Sequence, residues 1–212
     1  REQETVDPIT GALLAKYMPI EERMDKMVRL SLNWGRLVAK TNAERRVAII
    51  FHHYPPRNDR IGCAAGLDSF ASVKGLLERM QRDGYQIDQT YTDGDELAHD
   101  MLSRMTCDQR WLTPDQLAAR AEAHADRQCY TPWHKALPES IREKQTADWG
   151  EMPGDLFVHD DQMHFAGIIN GNVFMTIHPP RGYFENIDAI YHDMYLAPPH
   201  HYLAHYRWIR DG

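Results

Sequence analysis

The stretch from Gly154 to Trp208, GDLFVHDDQMHFAGIINGNVFMTIHPPRGYFENIDAIYHDMYLAPPHHYLAHYRW, carries seven of the twelve histidines. Acids, aromatics and Pro-Pro breaks are interleaved with them. Imidazole titrates near neutrality, binds metal ions and moves protons. Stiff turns around such groups suit a concave polar site. His159 and His164 flank Asp160 and Asp161. In a straight strand a spacing of five puts two side chains on opposite faces. A turn at Asp160-Asp161 brings them together for metal binding or acid/base work. The alternative is a pair of hydrogen-bonded strand-end histidines. His201 and His205 stand four apart, on one helical stripe with Trp208. With His200 they could hold a divalent ion, although the Glu of the H-E-x-x-H motif is absent. Their aromatic neighbours equally fit the edge of a core. Imidazole holds and releases a borderline metal more readily than thiolate does. The expected metal and acid/base groups are therefore His159, His164, His200 and His201, with Asp160 or Glu185 orienting them.

A second cluster, HHYPPRNDRIGCAAGLD, follows the apolar run Val47–Phe51. Gly62 and Gly66 allow close backbone approach, and a following helix offers a positive end. No Gly-Lys-Ser/Thr and no G-x-G-x-x-G accompanies them, so a nucleotide is not the expected ligand. Arg57 and Arg60 could grip carboxylates in forked pairs, beside His52 and Tyr54. The alternative is a rigid Pro-rich crossover with solvated arginines. Asp68 can cap the next helix. No Gly-x-Ser-x-Gly elbow is present, and Cys63, Cys107 and Cys129 sit in no nucleophile motif.

The 212 residues have a net charge of −7, which gives nucleic acid no electrostatic support. No apolar run approaches the ~18 residues of a membrane helix. Three isolated cysteines favour a reducing, cytoplasmic setting. Both ends look cut, so a piece of a longer polypeptide is expected.

These groups need a frame. Met24, Met27, Leu30, Trp34 and Leu37 mark a helix over 20–40 with a core-packing stripe. Residues 47–51 read as a buried parallel strand. A helix with Phe70, Val73, Leu77 and Met80 runs from Asp68 to Gly84. A short strand at 85–90 and helices near 94–105, 114–126 and up to Trp149 follow. Next come a strand at 155–159, a hairpin about Asn170-Gly171-Asn172, and helices at 185–195 and 199–210. The expected fold is α/β: a mostly parallel sheet with flanking helices, Rossmann-like or flavodoxin-like, plus a C-terminal β-hairpin and helices. Its expected parts are a helical lead-in (1–44), an α/β domain with a ligand loop at 52–68 (45–150), and a His-rich hairpin-plus-helix portion (151–212). Ligands of open α/β sheets bind at the carboxyl edge. His52, Tyr54, Arg57 and Arg60 are thus expected to share a cleft with His159 and Arg181.

The string HHYPPRNDRIGCAAGLDS and the Gly154–Trp208 segment closely resemble the large subunit of aerobic cobaltochelatases. More loosely, they resemble the porphyrin-binding H subunit of magnesium chelatases. The likeness covers residues 45–210 or so. It implies a metal chelatase, a ligase forming nitrogen–metal bonds, that inserts a cobalt ion as substrate into a corrin-ring precursor of the hydrogenobyrinic acid a,c-diamide type in cobalamin biosynthesis. The alternatives are magnesium insertion into protoporphyrin, or a non-catalytic domain binding a tetrapyrrole or a partner. ATP and Mg2+ would be used by AAA+ and adaptor partner subunits and not bound here, and the fragment alone would be inactive. The resemblance makes His159, His164, Asp160 and Glu185 the catalytic candidates and His200, His201 and His159 the metal candidates. His52, Tyr54, Arg57, Arg60, Asp68, Arg181 and Tyr183 would meet a flat, carboxylate-rich macrocycle. This chain departs from the family pattern at His53, Asp161 and His178, where Asn, Gly and Gln are usual. The family's Gly-His-Gly-x-x-Glu-like segment would lie beyond residue 212.

Overall fold

A computed structural model of the chain describes residues 2–183 and 191–211. The chain divides into two compact units, Arg1–Arg45 and Arg46–Gly212.

The first unit opens with a hairpin that the sequence reading did not anticipate. Strand β1 (Glu2–Val6) pairs antiparallel with β2 (Leu13–Tyr17). Asp7 closes the turn, its carboxylate accepting the N–H groups of Ile9 and Thr10 at 2.8 and 2.9 Å. Helix α1 (Glu21–Ala39) covers the expected span, but its stripe is not core. Met27 is 69% and Trp34 63% exposed, and no residue of α1 is buried. The periodicity that marks an amphipathic helix says which face is apolar and not what covers it.

The second unit holds two three-stranded sheets. Its strands are β3 (Val47–Phe51), β4 (Ala123–Asp126), β5 (Val158–His159), β6 (Gln162–Phe165), β7 (Gly167–Asn170) and β8 (Val173–Ile177). Its helices are α2 (Ser69–Arg82), α3 (Gly94–Ser103), α4 (Pro114–Ala118), α5 (Arg127–Lys135), α6 (Glu139–Trp149) and α7 (His200–Asp211). Mixed α/β stands, but the mostly parallel sheet does not. Only β3–β8 is parallel, running from Val47↔Val173 to Phe51↔Ile177. The pairs β7–β8, β4–β6 and β5–β6 are antiparallel. Two of these pairs are tight hairpins, which can only be antiparallel. The parallel pair also joins segments expected in separate parts of the chain.

The hairpin about Gly171 forms as read, with Asn170 facing Val173 and Gly171 at φ +62. A Cβ at Gly171 would stand 2.4 Å from the Gln86 carbonyl, so the turn needs glycine. The strand expected at 85–90 is absent. Its backbone is held by the Asn170 side chain, whose Oδ1 accepts from Asp88 and Gln89 at 2.9 and 2.8 Å. The helix expected over 114–126 ends at Ala118. Its second half, Ala-His-Ala-Asp, alternates buried and exposed and becomes β4.

One hydrophobic cluster packs Leu77, Met80, Leu97, Met101 and Met105 against Phe51, Met175 and Ile177. A second gathers Tyr130, Met163, Phe165, Phe174 and Ala204. Among the described residues, no helix is long and apolar enough to cross a membrane.

Candidate functional site

Strands β3 and β8 end side by side, and their carboxyl edge collects polar groups from four segments. The His178 N–H bonds the Phe51 carbonyl at 2.9 Å, carrying the ladder one step past the strands. His52, His53 and Tyr54 leave β3 here, and His178 and Arg181 leave β8. The loop then folds back: Gly62 N–H bonds the His52 carbonyl at 2.7 Å, and His53 pairs with Ile61. Gly62, at φ +70, lies against Phe51 and Ser69, which is the reason for glycine at the fold-back.

His53 is 2% exposed, and its Nε2 donates to the Arg57 carbonyl at 3.0 Å. Burial lowers its pKa to about 4, so the ring is neutral near pH 7. Asp108, arriving from the loop after α3, fixes the far side of the fold-back. Its Oδ2 accepts the Asn58 N–H at 3.0 Å, and Arg110 grips both oxygens at 2.8 and 2.6 Å. Burial pushes the Asp108 carboxyl up, but the Arg110 fork and the two backbone N–H groups outweigh it, and the net shift is downward. Asp108 thus stays a carboxylate.

Aromatic rings floor the edge. Tyr54 meets Tyr191 edge-on at 4.3 Å, and His178 faces Tyr202 and Tyr206 at 5.8 and 6.3 Å. Burial raises the Tyr191 pKa to about 12, with Cys107 and Tyr54 adding to it. His178 is lowered by burial first and by His52 second. Arg181 is electrostatically coupled to both His178 and Tyr191. The geometry therefore joins His52, Tyr54 and Arg181 at one edge.

The remaining expected residues distribute differently. Arg57 is at the edge, but its guanidinium is forked onto Asp59 of its own loop at 2.9 and 2.8 Å. Arg60 lies 3.9 Å from the same carboxylate. Asp68 is the N-cap of α2, accepting the Ala71 N–H at 2.9 Å, a structural use that absorbs its carboxylate. Tyr183 stacks at 6.1 Å on Trp149. Glu185 lies outside the described residues, as does most of the helix expected at 185–195.

His159 does not join the edge and belongs to the second sheet. Asp160 and Asp161, at φ +49 and +60, make the tight turn that the sequence allowed. His159 faces Gln162 across it, which puts His159 and His164 on one sheet face. His124 faces His164 from β4, with ring centroids 6.1 Å apart. Asp160 is 3.5 Å from His159, and Asp161 pairs with Arg127.

The metal-ligand expectation for His200 and His201 is corrected. His200 Nε2 donates to the Gly150 carbonyl at 3.0 Å and Nδ1 accepts from Tyr130 at 3.1 Å, so neither lone pair is available to an ion. His201 Nε2 donates to the His164 carbonyl at 2.8 Å, with its ring against Phe157 and Phe165. Burial lowers the pKa of His201 to about 4 and that of His205 to about 3. Among the described residues, no three His, Cys, Asp or Glu side chains gather to hold a metal. The buried face of α7 is a histidine-built core, the alternative that its aromatic neighbours suggested.

Asp108, His178 and Tyr191 were missed as site residues. Asp108 reaches the fold-back from fifty residues away in sequence, and no local pattern reports that contact.

The family model described as CobN/Magnesium Chelatase matches residues 3–212. An uncharacterized protein of Methanocaldococcus jannaschii is 41% identical over 97% of this chain and 17% of its own length. The aerobic cobaltochelatase subunit CobN of Pseudomonas aeruginosa is 37% identical over 92% of this chain and 15% of its own. The solved catalytic subunit of cobaltochelatase from Mycobacterium tuberculosis matches with TM-score 0.75 and 34% identity, over 98% of this chain and 17% of that one. The chain thus spans about one-sixth of the length of the relatives it matches.

Proposed function

Because the chain belongs to the CobN/magnesium chelatase family, we propose that it forms the tetrapyrrole-facing part of a subunit inserting Co2+, the substrate metal, into a corrin-ring precursor of the hydrogenobyrinic acid a,c-diamide type. The observation that carries this reading is the gathering of His52, Tyr54, His178 and Arg181 at the β3–β8 edge. Metal insertion forms nitrogen–metal bonds and displaces ring protons. A base near pH 7 must take them, and neutral imidazole does so. Burial holds His178 in that form. Arg181 supplies a fork for a ring carboxylate, and Tyr54 with Tyr191 supplies aromatic faces for a flat macrocycle. ATP is hydrolysed by AAA+ partner subunits. Cobalt is preferred to magnesium because both relatives above that bear a chelatase name are cobaltochelatase subunits.

The test uses the full-length subunit with its ATPase partners. Changing His52→Asn and His178→Asn together should slow Co2+ insertion about tenfold, a low value for lost proton transfer because water substitutes in part. Tetrapyrrole affinity should hold. Insertion at the parental rate would remove both histidines from the chemistry. Faster insertion of Mg2+ into protoporphyrin by the parent would favour the magnesium reading.

A further inference from the structure

A separate cavity of about 290 Å³ opens between the loop after α3, helix α4 and the β5–β6 hairpin. Met105, Leu112, Pro114, Leu117 and Phe157 make most of its wall, with Gln109, Asp155 and Tyr183 adding polar groups. Its one deeply buried polar side chain is His164, 9% exposed. Two backbone bonds fix this residue in place. Its N–H donates to the Phe157 carbonyl at 2.9 Å, and its carbonyl accepts from His201 Nε2 at 2.8 Å. The ring is engaged with the backbone of His159, while Nε2 is buried and has no partner. A neutral imidazole that donates through one nitrogen presents a lone pair on the other. Burial, first, and then the facing His124 and His159 keep the ring neutral. A buried acceptor without a donor carries a desolvation cost that a ligand can remove.

Shape and polarity select the ligand. A cavity of about 150 Å³ holds benzene, so this one has room for a fused bicyclic ring and is too small for a tetrapyrrole. A carboxylate would face the Nε2 lone pair and the Asp155 side chain, and is disfavoured. A cation with several ligands lacks the donors, since Met, Leu, Pro and Phe dominate the wall. We propose that this cavity binds a compact, uncharged aromatic ring bearing one N–H or O–H, which it donates to His164 Nε2. The Met105 thioether and the Phe157 ring supply the soft contacts such a ring prefers. The proposal does not depend on the chelatase reading.

Indole and benzofuran decide it, because they share a shape and only indole carries a donor. Titrated into the protein and followed by the 15N signals of labelled histidines, indole should bind and shift the His164 Nε2 resonance. Benzofuran should bind about tenfold more weakly, the worth of one buried hydrogen bond. His164→Leu should equalise the two ligands, and Ala118→Phe, which narrows the wall, should weaken both. The ligand pair tests the parent protein directly, so the proposal stays exposed even if a variant fails to fold. Absence of indole binding at millimolar concentration would overturn the proposal, and so would equal affinity of the parent for both ligands.

Discussion

Acidification from pH 7 to pH 5 is expected to cost the folded protein about 6 kcal/mol, through His53, His201 and His205. Their unfolded pKa is about 6.5. In the fold, burial lowers them to about 4, about 4 and about 3. Between the two values the unfolded chain binds more protons than the folded one. The stability is therefore fully present above pH ~6.5 and is lost as pH falls toward the folded values. At pH 5 each group has given up roughly 2 kcal/mol, from about 1.5 pH units at 1.36 kcal/mol each. Solvent screening offers little relief, because all three rings are 1–2% exposed. Typical domains hold only about 5–15 kcal/mol in reserve. Urea midpoints measured across this range should fall steeply, and His205→Leu should flatten the slope by about one-third. A midpoint constant from pH 7 to pH 5 would mean that these rings are not buried as described.

The second large effect is at Asp108. Replacing it with alanine leaves the Asn58 N–H and the Arg110 fork without their acceptor. Removing one member of a buried ion pair costs about 3–5 kcal/mol. Arg110 keeps 29% of its side chain exposed and can turn to water, so the lower figure applies, about 3 kcal/mol. Asp108→Asn keeps the shape and one acceptor, and should cost about 1 kcal/mol. The loss should be local first. Hydrogen exchange at Asn58 should speed up before that of Val173–Ile177, because the fold-back hangs on Asp108 whereas β8 is paired on both sides. An alanine variant within ~0.5 kcal/mol of the parent would make the anchor incidental.

Much of this frame was readable from residue patterns that act locally. Asn170-Gly171 announced the hairpin because its turn needs positive φ at Gly171. Asp68 announced α2 because a carboxylate satisfies its first N–H groups. The His52–Tyr54 edge followed from a strand ending in a polar loop. What failed depends on long-range pairing. Val47–Phe51 read as the core of a parallel sheet and is an edge strand with one parallel partner. The α7 histidines read as ligands through their spacing, yet spacing does not show that Gly150, Tyr130 and the His164 carbonyl already occupy them. The α1 stripe shows the same limit: its period was right and its burial was not.

The central claim is that the β3–β8 edge, and not the α7 histidines, faces the tetrapyrrole. Titration of a carboxylated tetrapyrrole into the full-length subunit, followed by its absorbance shift, tests this most directly. Arg181→Glu should weaken binding about tenfold or more by removing a charge-assisted fork. Tyr54→Ala should weaken it severalfold, and Arg210→Glu, on the far end of α7, should leave it unchanged. Parental affinity in both the Arg181 and the Tyr54 variants would contradict the account.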